Sequence, residues 1–253
     1  MEVVEPQAPL RREPRPDAPL DTEALKGERV TIYDMNAEGF AWGQLAADQY
    51  VGWLPSNALA PMGAAPTHKV AALRTFAFPG PSIKLPPIEA LPLGATLAVA
   101  RIADRMAVTP SGAYLPAAHL RPIGEYEQDF VAVAERFLGV PYLWGGKTAL
   151  GLDCSGLLQV SLAACGVACP RDSDMQEAAL GMSVASNANK TDFKRGDLVF
   201  WKGHVAIVRD ETKLLHANAF HMAVAIDPIA EAIARIRATG SEVTGVRRIT
   251  APS

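Results

Sequence analysis

The stretch Tyr142-Leu143-Trp144-Gly145-Gly146, followed by Asp153-Cys154-Ser155-Gly156-Leu157, decides how the rest of the chain is read. Asp153 can cap a helix that runs to Cys165 and stops at Gly166. Cys154 then occupies the first turn, where unpaired backbone N–H groups and the positive end of the helix dipole favour a thiolate and should lower its pKa toward working pH. Gly145, Gly146, Gly151 and Gly156 crowd the same region, as expected where backbone must pass close to another group. A buried, inert cysteine is the alternative for Cys154 taken alone.

Downstream elements favour chemistry. Short β runs follow at 197–201, 204–208, 213–217 and 222–226, an antiparallel meander. His204 opens the second run and His216 lies on the third, so neighbouring strands can set the two rings side by side. One imidazole can accept the thiol proton while the other orients it. His221 and Asn218 lie close to His216 and are alternatives for that third position. An amphipathic helix at 229–236 and a last strand at 246–249 give a helices-then-strands α+β order, and an apolar helical period over Phe130 to Leu138 opens it.

Working toward the N-terminus, Trp53-Leu54-Pro55-Ser56-Asn57-Ala58-Leu59-Ala60-Pro61 recurs as Tyr114-Leu115-Pro116-Ala117-Ala118-His119-Leu120-Arg121-Pro122, sharing an aromatic, Leu-Pro, Leu and Pro. Alternating runs and turn residues around each copy suggest small β units, with Pro61, Gly63 and Pro66 marking a linker. The expected organisation is 1–63, 64–123 and 124–253.

The bulk numbers bound the function. A net charge of -3 over 253 residues, with no dense Lys/Arg stripe, argues against nucleic acid as a partner. No segment approaches the ~20 apolar residues of a membrane span, and no apolar leader core precedes Pro19, so no membrane partner and a cytoplasmic location are expected. Three cysteines, Cys154, Cys165 and Cys169, make a poor disulfide framework, and neither a metal nor another cofactor is called for.

Together Asp153-Cys154-Ser155-Gly156, Arg195-Gly196-Asp197-Leu198-Val199-Phe200-Trp201, Gly203-His204-Val205 and Leu215-His216-Ala217 resemble the NlpC/P60 family of papain-like cysteine peptidases. Gly-Glu-Arg-Val at 27–30 and Gly-Trp-Leu-Pro at 52–55 resemble bacterial SH3-like domains, which family members carry ahead of the same module. The resemblance implies an α+β chain, a papain-like domain preceded by two small SH3-like β-barrels. It implies Cys154 as nucleophile, His204 as base, His216 as orienter, and an oxyanion hole from Tyr142 and the Cys154 N–H. Trp144, Asp153, Ser155, Asp172 and Ser173 would bind substrate, with Glu28 and Tyr50 contributed by the first SH3-like domain. The implied substrate is a small peptidoglycan-derived peptide with an unblocked L-Ala, cut between D-Glu and the diamino acid. An idle muropeptide-binding module and an amidase or acyltransferase using the same Cys/His pair are the competing readings.

Overall fold

The computed structural model describes residues 1–184 and 192–249. It divides into two compact units, Met1–Tyr126 and Glu127–Ser253.

In the first unit, strands β1 (Gln7–Arg11), β2 (Leu20–Leu25), β3 (Val30–Met35), β4 (Phe40–Leu45) and β5 (Val51–Pro55) form one sheet in the order β2-β1-β5-β4-β3. Alternation in β4 and β5 buries Ala41, Leu45 and Leu54 on one face, while Trp42 and Trp53 stand opposite each other on the other, ring centroids 5.5 Å apart. The expected barrel does not close. Strands β2 and β3 remain edges, because the N-terminal segment uses the backbone groups between them: Val3 N–H bonds Glu28 O, and Met1 and Val30 bond reciprocally. Beyond residue 67 the strands are only two to four residues long and fall into sheets of two, three and three strands, too short for a continuous closed ladder. A second small core gathers there around Val70, Leu91, Leu115 and Leu120. Two small sheet assemblies, open and not barrel-shaped, therefore replace the expected pair of barrels.

The repeat seen in the sequence has a local structural counterpart. Pro55 and Pro116 each precede one 3-10 turn, Ser56–Ala58 and Ala117–His119, from which Leu59 and Leu120 return to extended backbone. Proline fixes φ where the turn begins, and the following leucine buries its side chain.

The second unit holds helices α1 (Phe130–Glu135), α2 (Cys154–Ala164), α3 (Ser173–Ala179) and α4 (Ile229–Ala238). Besides the short antiparallel pair Lys147–Thr148 and Gly151–Leu152, its strands among the described residues are β6 (Met182–Ser183), β7 (Asp197–Trp201), β8 (His204–Asp210), β9 (Lys213–Asn218), β10 (Ala223–Pro228) and β11 (Val243–Arg248). Strands β6 to β11 make one antiparallel sheet, β6-β11-β7-β8-β9-β10. Helix α2 packs against β8 and β9, and α4 against β9 and β10. Val199, Trp201, Ala206, Val208 and Leu214 form a core with Ile229 and Ala232 of α4. The outer strand β10 does not present a bare edge. Segment 139–142 lies along it, with Gly139 N–H to Val224 O (3.0 Å), Val224 N–H to Val140 O (2.9 Å) and Tyr142 N–H to Met222 O (2.9 Å).

Helix α2 ends as its sequence dictates: Gly166 at φ 76° allows Gly166 N–H to reach Ala163 O and Val167 N–H to reach Leu162 O. Among the described residues, no helix is long and apolar enough to cross a membrane.

Candidate active site

Asp153 starts α2 with its side chain, Oδ1 accepting the Gly156 N–H at 2.7 Å. This fixes Cys154 at the first helical position, on a turn pressed against passing backbone. A Cβ on Gly156 would stand 2.4 Å from Gly146 O, and one on Gly146 would stand 2.4 Å from Gly151 O. Only glycine permits both approaches.

Behind this turn lies Arg171, 1% exposed and absent from the sequence-based site. Its guanidinium spans Asp153 Oδ1 (3.0 Å) and Oδ2 (2.7 Å) and donates to Ser155 Oγ (2.7 Å). Asp153 Oδ2 also accepts the Gly145 N–H at 2.8 Å. Asp153 and Ser155, expected at the substrate, thus have their polar side-chain atoms engaged inside the unit. Arg171 directly precedes Asp172, a residue expected at the substrate, but its burial did not show in the sequence.

Cys154 is buried, with the Val205 N–H bonded to its sulfur, one residue from His204. His204 Nε2 lies 2.9 Å from His216 Nδ1, and His216 Nε2 lies 3.0 Å from Asp227 Oδ2. The sequence reading missed Asp227. Its only trace there is its position: it opposes Leu214 in the β9/β10 ladder, so it shares a face with Leu214 and His216. Asp227 also accepts from His221 Nε2 at 2.9 Å and from Arg235 of α4. Asn218, the other alternative, donates its side chain to His216 O at 3.4 Å. His216 therefore stands next to His204, and His221 is a neighbour of the carboxylate.

The protonation states follow from burial. Removal from water, helped by the adjacent Asp153 carboxylate, pushes the Cys154 thiol up to about 11 against the pull of the Val205 and Ser155 amides and Arg171. Burial thus opposes the lowering expected from the helix end. Burial, with His216 and Arg235 nearby, drops His204 to about 3, and burial lowers His216 despite Asp227. Asp227 falls to about 2 because three donors from His216, His221 and Arg235 outweigh its own desolvation. Between these limits the resting pair is neutral thiol and neutral imidazole. Alkylation of Cys154 by iodoacetamide is accordingly expected to be slow at pH 7, where a thiol of pKa about 11 is roughly 10⁻⁴ ionised, and to climb tenfold per pH unit toward pH 10. A rate that levels off below pH 8 would show a preformed ion pair instead.

The remaining expected residues sit on several elements. Tyr142 is half-buried and interacts electrostatically with Cys154; burial foremost, with the Cys154 and Asp153 charges, raises its phenol, so it stays a donor. Trp144 is 64% exposed. Asp172 occupies the N-cap position of α3 without a side-chain cap bond, and Ser173 is the first residue of that helix. Glu28 and Tyr50 belong to the first unit, where Tyr50 packs against the core of residues 3–59.

Comparison with known proteins follows the same division of the chain. Residues 10–59 match the bacterial dipeptidyl-peptidase Sh3 domain and residues 139–242 the NlpC/P60 family. The chain is 34% identical over 93 residues to dipeptidyl-peptidase 6 of Lysinibacillus sphaericus, covering 37% of this chain and 33% of that protein. It is 34% identical over 115 residues to gamma-D-glutamyl-L-lysine dipeptidyl-peptidase of Bacillus subtilis (strain 168), covering 42% and 37%. The matched stretches span about a third of the length of these curated relatives. A crystal structure of an NlpC/P60 family protein from Bacillus cereus ATCC 10987 superposes with a TM-score of 0.81 over 98% of both chains at 21% identity, a likeness of fold. With the helix that begins at Cys154 and the paired histidines inside the matched region, the chain belongs to the NlpC/P60 family, carries an SH3-like domain ahead of that region, and is related to the gamma-D-glutamyl-L-lysine dipeptidyl-peptidases.

Proposed function

We propose that the chain is a cysteine peptidase that cuts the γ-D-glutamyl–diamino acid bond of small peptidoglycan peptides bearing an unblocked L-Ala. The observation that carries this reading is the line His204, His216, Asp227 beside a thiol at the first turn of α2. In the proposed reaction the Cys154 proton passes to His204 as sulfur bonds the γ-carbonyl carbon. Tyr142 and the Cys154 N–H donate to the oxyanion. The C–N bond breaks as His204 returns the proton to the leaving amine, leaving a thioester. Water, deprotonated by His204, then attacks the thioester, and the thiol regains its proton as the acid leaves.

A neutral ground-state pair suits this sequence, because proton transfer occurs only as the nucleophile commits. Trp144, Asp172 and Ser173 are proposed to meet the substrate, Asp172 offering a carboxylate to its ammonium end. Asp153 and Ser155 would act through Arg171, which holds the nucleophile's turn. Glu28 and Tyr50 remain part of the proposal on resemblance to SH3-bearing relatives. Two relatives named as dipeptidyl-peptidases, one of them for gamma-D-glutamyl-L-lysine, support the substrate class. The setting we propose is cytoplasmic recycling, since a peptide with an unblocked amino end is a small product of wall turnover.

The test is incubation with L-Ala-γ-D-Glu-diaminopimelate and its N-acetyl derivative, with products read by mass spectrometry. Release of the diamino acid from the unblocked peptide alone is the expected outcome. Equal cleavage of both would remove the amino-end role of Asp172, and cleavage of neither would end the substrate assignment.

A further inference from the structure

Asp227 makes more contacts than a surface carboxylate needs. It is buried, sits on an outer strand, and gathers His216, His221 and Arg235, the last lying under the Phe220 ring with its guanidinium 4.2 Å from the ring centre. Phe220 also meets His221 edge-on at 4.8 Å, so the donors around Asp227 are themselves braced.

We propose that Asp227 is a positioning residue that sets the tautomers of both active-site histidines, leaving the His204 Nδ1 lone pair directed to the Cys154 thiol. This rests on the peptidase reading of the site. The argument is one of donors and acceptors. An ionised carboxylate can only accept, so His216 must carry its proton on Nε2 to bond Asp227 Oδ2. A neutral ring protonated on Nε2 presents a lone pair at Nδ1. The 2.9 Å contact between His216 Nδ1 and His204 Nε2 then requires the proton on His204 Nε2. The other nitrogen of His204 is left as the base. Without Asp227, neither end of this line is fixed, and a histidine pair alone can bond equally well with both protons moved to Nδ1.

The geometry also says which substitutions separate this role from simple structural support. His216 and Arg235 share Oδ2, whereas His221 alone occupies Oδ1. Asp227→Asn can turn its carbonyl oxygen to His216 and Arg235 and its amide to His221, which keeps the acceptor and the tautomers. Asp227→Leu removes the acceptor and leaves the Arg235 N–H groups beside His216 Nε2. That nitrogen would then accept from Arg235, His216 would become protonated on Nδ1, and His204 would follow. With a proton already on Nδ1, His204 has no lone pair left to take one from the thiol. Inverting a catalytic histidine's tautomer in this manner costs on the order of 10⁴ in serine peptidases.

The experiment is ¹⁵N NMR of the histidine rings in the full chain at neutral pH, alongside kcat on L-Ala-γ-D-Glu-diaminopimelate. Expected are Nε2–H signals for His204 and His216 in the wild type and in Asp227→Asn, with Asp227→Asn within about tenfold of wild-type kcat. Asp227→Leu should show Nδ1–H on both rings and lose at least about a hundredfold in kcat. A wild type with His204 protonated on Nδ1 overturns the proposal, as does an Asp227→Leu protein that keeps the wild-type tautomers. Should Asp227→Leu fail to fold, the wild-type and Asp227→Asn tautomers decide. Should the wild type cleave no peptide, the peptidase reading falls, and the ring signals alone decide the role of Asp227.

Discussion

Replacement of Arg171 by Met should destabilise the catalytic unit by about 3–5 kcal/mol, because it leaves the Asp153 carboxylate charged and buried without its cation. The guanidinium is 1% exposed and contacts both carboxylate oxygens and Ser155, so water cannot take its place without rearrangement. Loss of this clamp also loosens the turn that presents Cys154, so activity should fall with stability. A double-mutant cycle with Asp153→Asn isolates the pair: removing the charge together with the cation should cost clearly less than the sum of the single changes. Denaturant melts of the full chain give the values. Additive effects, or a loss below about 1 kcal/mol for Arg171→Met, would show that the buried pair does not hold the turn.

The second large effect is on chemistry alone. His204→Ala is expected to lower kcat by about six orders of magnitude, the loss found when the histidine base of a nucleophile–histidine pair in a serine peptidase is removed. A thiol held near pKa 11 supplies almost no thiolate by itself at neutral pH, so nothing substitutes for the missing base. Stability should change far less, since no buried charge is stranded and what is lost is one hydrogen bond to His216 and ring packing against Trp201 and His216. Steady-state kinetics and a thermal melt on the same preparation separate the two. A kcat within tenfold of wild type would remove His204 from the reaction.

Much of the site was readable because its signals are local. The Asp153 cap, the Gly166 stop and the alternation of 204–218 each depend on neighbours within a few residues, and α2, β8 and β9 appear where those signals put them. Arg171 and Asp227 were not readable, since each acquires its role from a partner that only tertiary packing supplies. The burial around Cys154 was hidden for the same reason: the helix end is written in the sequence, whereas the desolvation that opposes it is not. Barrel closure failed on a long-range competition, in which Met1 to Val3 claim backbone groups that local strand patterns leave open.

The strip 139–142 that runs along β10 ties two properties together. It carries Tyr142, and it also satisfies backbone groups of Met222 and Val224 that would otherwise face outward. An uncovered outer strand is a template for intermolecular pairing. Damage to this strip would therefore surface as self-association as well as lost turnover, and low solubility in variants near Pro141 would report on the same hinge of backbone that delivers the phenol.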